Sequence, residues 1–278
     1  MRIKCVTLLA TLGLLATATA ASAQVFCIPV DESGEPPPLD DMAACLAATT
    51  TPFGALPTKL PAAWTGTAPG GIGFNVRFGT MNEEGDAGRR SFGVGVDVPI
   101  GRASLGLAGG LVDFTCDAEG FDIDCESAFM LGARFAAPLV TSSVGEGGGE
   151  SFIVGLDASV GFSNGDLISL QDPGGAGSVQ IGGRGFTVGV GLPLGLVARS
   201  GNVTITPFIE PAFFWGHTKF DLSGAFGEDD ESESGTGFAL GGGVSFGFAN
   251  GFALDVGFKK VMIDEANALI GVGISFQR

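Results

Sequence analysis

From Gly71 to Phe276 one pattern recurs: an apolar residue at every second position, with glycine or another small residue between. "GIGFNVRFGT" sets Ile72, Phe74, Val76 and Phe78 against Asn75 and Arg77, and "SFGVGVDVPI" sets Phe92, Val94, Val96 and Val98 against Gly93, Gly95 and Asp97. The same alternation runs through "ASLGLAGGLVDF", "AFMLGARFA", "SFIVGLDASVGF", "GFTVGVGLPLGLVA", "GFALGGGVSFGF", "GFALDVGFKKVM" and "ALIGVGISF". It is least clean in "NVTITPFIEPAFFW", which Pro207 and Pro211 interrupt. A period of two is that of a β-strand, so the chain is expected to be all-β, with about ten strands and eight or twelve as alternatives. Each is close to the roughly 9–11 residues that a tilted membrane strand needs.

Alternation does not say which face is inside. A soluble barrel would turn the polar faces to water and carry many charges there. Here those faces are mostly Gly, Ser and Ala, and only 16% of the whole chain is charged, against roughly 25% in soluble domains. Scattered along those faces are Arg77, Asp97, Arg134, Asp157, Glu210, Asp255 and Lys259, each on the non-apolar parity of its strand. Four acids and three bases are nearly balanced, which suits an interior network of paired charges. The expected fold is a transmembrane antiparallel up-and-down β-barrel over residues 71–278, with its apolar face toward lipid. The alternative, with the faces reversed, is a secreted soluble barrel that binds an apolar ligand.

The connections divide into two kinds. "MNEEGDAGRR", "DFTCDAEGFDIDCES", "SNGDLISLQDPGGAGS", "HTKFDLSGAFGEDDESESG" and "IDEAN" alternate with the tight turns "PIGR", "ARSGN" and "ANG". Long acidic loops on one rim and short turns on the other are the arrangement of an outer-membrane barrel. "VTSSVGEGGGES" breaks the pattern, being long for a turn on the short side.

The opening residues point to export. Arg2 and Lys4 precede the apolar run "VTLLATLGLLA", and Ala21-Ser22-Ala23 supplies small residues at a cleavage site, so residues 1–23 are expected to be a cleaved signal peptide. Without them the formal charge is 12 − 30 = −18, because two of the 14 bases leave with the signal. Nucleic acid is excluded as a partner on that ground. Residues 24–70, rich in Pro, Ala and Thr, are expected to be an extension, read as periplasmic, with a plug inside the barrel left open as the alternative. Four cysteines remain in an oxidising compartment, which allows three pairings; proximity favours Cys27–Cys45 and Cys116–Cys125.

The end of the chain carries a further signal. In "LIGVGISFQR", Gly271, Ile274 and Phe276 are spaced as in the C-terminal assembly signal of bacterial outer-membrane β-barrel proteins, which the chain resembles across residues 71–276. The resemblance implies a small porin-like barrel in the cell outer membrane, contacting outer-membrane lipids and inserted by the barrel-assembly machinery. Two departures stand out: Gln277 and Arg278 follow the terminal aromatic, and the chain has no Tyr to form interface girdles, leaving Phe and Trp215 for that role.

Catalytic chemistry finds little support. His217, the chain's one histidine, follows Trp215 at the outer end of a strand, where a rim-active enzyme would place a base. Glu210 and Asp221 are near in sequence, yet no nucleophile motif accompanies them. Asp117, Glu119, Asp122, Asp124 and Glu126 share one stretch but fail the EF-hand order, so weak attraction for divalent cations is the most they suggest. Neither cofactor nor specific metal is expected. The function read here is non-enzymatic: a structural or surface-interaction barrel, or a narrow passive channel. A rim enzyme using His217 is the alternative.

Overall fold

The computed structural model describes residues 47–61, 64, 71–82, 88–115, 122–144, 150–171, 178–224, 229–262 and 268–278. Twelve strand segments follow one another: β1 (Gly73–Asn82), β2 (Gly88–Ile100), β3 (Ala103–Thr115), β4 (Asp122–Cys125), β5 (Ser127–Val144), β6 (Glu150–Gln171), β7 (Ser178–Gly191), β8 (Leu194–Ser200), β9 (Val203–Gly224), β10 (Asp229–Phe248), β11 (Phe252–Val261) and β12 (Ala268–Gln277). Every pairing is antiparallel, and the sheet closes where β12 pairs with β1.

The twelve segments occupy ten positions in the wall. β4 continues the line of β5 along β6. β7 and β8 are one strand broken at Leu192–Pro193, because both pair with β6 on one side and β9 on the other. Pro193 lacks an N–H, and the break is bridged by Gly155 N–H donating to the Pro193 carbonyl at 2.8 Å. Ten strands is the number expected from the alternation.

Two loop assignments are corrected. "SNGDLISLQDPGGAGS" and "HTKFDLSGAFGEDDESESG" are largely strand: β6 runs to Gln171, β9 to Gly224, and β10 begins at Asp229. These ends lack apolar alternation because they stand beyond the lipid-facing band, where backbone pairing alone identifies them. The long "VTSSVGEGGGES" is likewise mostly hairpin, with β5 reaching Val144 and β6 starting at Glu150. The two tightest turns place Gly101 and Gly201 at φ 64° and 61°, a region that glycine enters without Cβ strain.

The apolar faces point outward. Phe74, Leu107, Leu131, Phe238 and Ile270 are each more than half exposed, and they belong to strands all round the wall. The inward faces carry Gly, Ser, Thr and the charges, so the soluble-barrel alternative is overturned. An apolar exterior around a closed ladder satisfies the two demands of a bilayer: no bare backbone edge and no polar outer face. Replacing Val272 by Arg, at mid-strand between Phe78 and Val256, is expected to cost about 2–4 kcal/mol in lipid. The check is the denaturant midpoint in vesicles; an unchanged midpoint would contradict the outward assignment.

Candidate functional site: the plugged lumen

The barrel encloses a piece of its own chain. Residues 47–61 and Trp64, part of the extension that the sequence leaves as either periplasmic or a plug, lie inside the wall and, apart from half-buried Pro52, are buried. Residues 47–50 and α1 (Pro52–Ala55) are short helical turns. Pro52, Pro57 and Pro61 stop any longer helix, and the rest runs extended.

The inner face of glycines is the counterpart of this segment. A Cβ at Gly93 would stand 2.7 Å from two carbons of Leu56, and one at Gly161 would stand 2.8 Å from Thr51. Such approaches are closer than real Cβ atoms make, so a side chain at either position would force Leu56 or Thr51 to shift. Each inner apolar cluster also depends on it. Ala55 and Leu56 pack with Val112, Phe114 and Met130. Ala48 and Phe53 pack with Phe214 and Val261, with the Phe53 and Phe214 rings 5.5 Å apart. Leu60 and Trp64 pack with Ile153, Val197 and Phe208.

Polar contacts fix the register. The hydroxyls of Thr50 and Ser163 are 2.7 Å apart, as are those of Thr51 and Thr187. Arg89 donates to the Thr49 carbonyl at 2.9 Å, and Ser91 donates to that of Ala55.

The charges meet at the turn-side half of the segment. Arg134 donates to Asp157, lies 3.6 Å from Glu210, and donates to the Lys59 carbonyl at 2.8 Å. Lys59 donates to Asp97, which also accepts from Asn75 at 3.1 Å. Arg77 reaches the Pro57 carbonyl at 3.5 Å, and the Lys259 ammonium stands 3.6 Å over the Phe53 ring, a favourable cation–π placement. Asp255 faces inward opposite Ser245. All seven strand charges singled out from the sequence therefore point into the lumen. Lys59, missed because it lies outside any strand, and Arg89, at the loop-side end of β2, bring the bases to five against four acids. A lone Lys in a Pro-rich segment gave no periodic signal by which to find it.

What space remains is small. A cavity of about 70 Å³ lies among Lys59, Arg77, Asp97, Arg134, Asp157 and Glu210. At roughly 10–15 Å³ per water by the same kind of measure, it has room for a few waters, beside Thr58 Oγ1, Arg77 Nε and Glu210 Oε2, which lack a direct hydrogen bond among the described residues.

His217 is placed on the outer face of β9, stacked on Trp215 with rings 6.1 Å apart, and its Nδ1 is 2.8 Å from Ser234 Oγ. Glu210 faces the opposite way, into the lumen, so it cannot orient His217. Asp221 is held by Lys219 at 3.1 Å and Arg184 at 3.6 Å. Replacing His217 by Ala is expected to shift stability by no more than about 1 kcal/mol, measured as the heat-induced gel shift. Gly271 faces inward against Pro57, while Ile274 and Phe276 face lipid in the closing strand. Cys27, Cys45 and Cys116 lie outside the described residues, as does the side chain of Cys125, and with them both disulfide pairings. Asp117 and Glu119 lie outside them too, and among the described residues no acidic or His/Cys cluster could hold a metal.

A closed antiparallel barrel with a lipid-compatible exterior defines the class: an integral outer-membrane β-barrel. No family model and no curated sequence matches the chain. Solved structures share the barrel fold. The outer membrane protease OmpT of Escherichia coli is 9% identical, with a TM-score of 0.45 over 75% of this chain and 94% of its own. The transport unit of the autotransporter AIDA-I of Escherichia coli is 9% identical, with a TM-score of 0.44 over 84% and 96%. The attachment invasion locus protein Ail of Yersinia pestis is 12% identical, with a TM-score of 0.30 over 75% and 97%.

Proposed function

We propose that this chain is a non-enzymatic outer-membrane barrel held shut by its own N-terminal segment, with a structural or surface-interaction role rather than that of an open channel. One observation carries the reading: among the described residues, the lumen at the level of the lipid-facing band is occupied by residues 47–61 and Trp64, with a cavity of about 70 Å³ beside them. The charge network of Arg77, Asp97, Arg134, Asp157, Glu210, Asp255 and Lys259 then serves to hold the plug through Lys59. Export with loss of residues 1–23, insertion through Gly271, Ile274 and Phe276 by the assembly machinery, and weak cation attraction at the acidic loops belong to the same reading.

The test has two stages. The mature protein is expected in the outer-membrane fraction, migrating faster before heating than after. In planar bilayers it is expected to give no steady conductance. Steps of constant size from the intact protein would favour the passive-channel reading instead.

A further inference from the structure

The direction in which the plug crosses the barrel can be read along single strands. On β2, which runs from the loop rim at Gly88 to the turn rim at Ile100, Arg89 holds Thr49, Ser91 holds Ala55, Gly93 faces Leu56 and Asp97 holds Lys59. Plug and strand numbers rise together over 97 − 89 = 8 residues, or roughly 26 Å at about 3.3 Å per residue. Along β7 and β8 the order is the same: Gly185 beside Thr50, Thr187 beside Thr51, Gly189 beside Phe53, and Gly195 beside Leu60. On β6, which runs the other way, the order reverses: Gly155 beside Trp64, Gly161 beside Thr51 and Ser163 beside Thr50. Three strands thus place Trp64 toward the turn rim and Ala47 toward the loop rim.

The two ends of the crossing agree with the outer face of the wall. Ala47 lies beside Gly185, between the lipid-facing Phe186 and the exposed Arg184, so the plug reaches the loop-side edge of the apolar band. Beyond Trp64 the chain resumes at Gly71, which accepts from Gln277 Nε2 at 2.8 Å on the turn rim, where the barrel's own first and last strands begin and end.

We infer that the chain is threaded through its own barrel, so that the polypeptide preceding Ala47 leaves on the loop side and is displayed at the cell surface. Among the described residues the lumen carries one passage of chain, and the cavity of about 70 Å³ beside it admits waters and no second backbone. Residues 24–46 of the displayed arm carry Asp31, Glu32, Glu35, Asp40 and Asp41 and no Lys or Arg. The inference rests on the outer-membrane reading, with short turns on the periplasmic side.

The experiment places one epitope after Gln24 and, in a separate version of the full chain, the same epitope after Arg278. Antibody that cannot cross the envelope is applied to intact and to lysed cells, after fractionation has located each protein in the outer membrane. The expected result is strong labelling of the Gln24 epitope on intact cells, with the Arg278 epitope at least tenfold weaker until lysis. Labelling of both only after lysis would overturn the threading while leaving the barrel in place. Surface labelling of Arg278 alone would overturn the orientation as well. Where the first insertion disturbs export, the epitope after Ser33 gives the same reading. Absence of the unaltered chain from the outer membrane would sink the class reading, a separate result that labelling does not produce.

Discussion

Deleting residues 24–64 from the exported chain is expected to turn a closed barrel into a conducting one. The wall opposite the plug is glycine at Gly93, Gly161, Gly189 and Gly195, so the wall has no side chain at these positions to take up the space. The lumen would keep Asp97, Asp157, Glu210 and Asp255 against Arg77, Arg89, Arg134 and Lys259, four acids against four bases, so little preference between cations and anions follows. Planar-bilayer recording checks both: discrete steps where the intact protein shows none, and a reversal potential that stays near zero in a salt gradient. The same deletion strips members from all three inner apolar clusters. Truncating one buried aromatic typically costs about 3–5 kcal/mol, so loss of both Phe53 and Trp64 should lower the temperature of the gel shift strongly. A deletion variant that stays electrically silent would show that something other than this segment closes the barrel.

Replacing Arg134 by Ala is the most damaging single change expected. Its guanidinium is the shared partner of Asp157 and Glu210, each 4% exposed, and it also grips the plug through the Lys59 carbonyl. Without it, two buried carboxylates lose their counter-charge, and breaking a buried pair from one side costs about 3–5 kcal/mol. Lys at this position should recover part of the loss, since one ammonium cannot reach all three oxygens that the planar fork serves. The double change Arg134→Ala with Asp157→Ala should cost less than the two single changes added together, because it leaves one fewer orphaned charge. Denaturant midpoints of the four proteins in vesicles supply the comparison; strict additivity would mean the two groups do not interact. Lys59→Ala is expected to act more locally, leaving Asp97 with Asn75 and Arg77 nearby, and to produce intermittent openings rather than unfolding.

Much of the wall was legible beforehand. The outward residues of β1, β2, β11 and β12 alternate so strictly that the face toward lipid follows from composition: a face of Gly, Ser and a few balanced charges cannot be a water-facing surface. The inward parity of Glu210 and Asp255 was equally plain. The upper reaches of β6, β9 and β10 were not, because a strand that stands in water on both faces has no hydrophobic period to read. The break at Pro193 was hidden inside an unbroken apolar run. Phe208 and Phe214 sit on the polar parity of β9, an anomaly that makes sense only once Leu60 and Phe53 are seen to pack against them.

The amino-acid sequence by itself determined that strands of period two would close into a barrel and which face of them would meet lipid. Both follow from local alternation, which every strand repeats on its own. It also held a clue it could not resolve: inward faces bare of side chains imply either an open passage or something to fill it. Only the tertiary structure decided between the two, by bringing residues 47–61 and Trp64 against strands up to about 200 positions away in the chain. A segment with no periodicity has no preferred face until a wall surrounds it. Its buried position, its direction and the lumen charge at Lys59 all come from that enclosure.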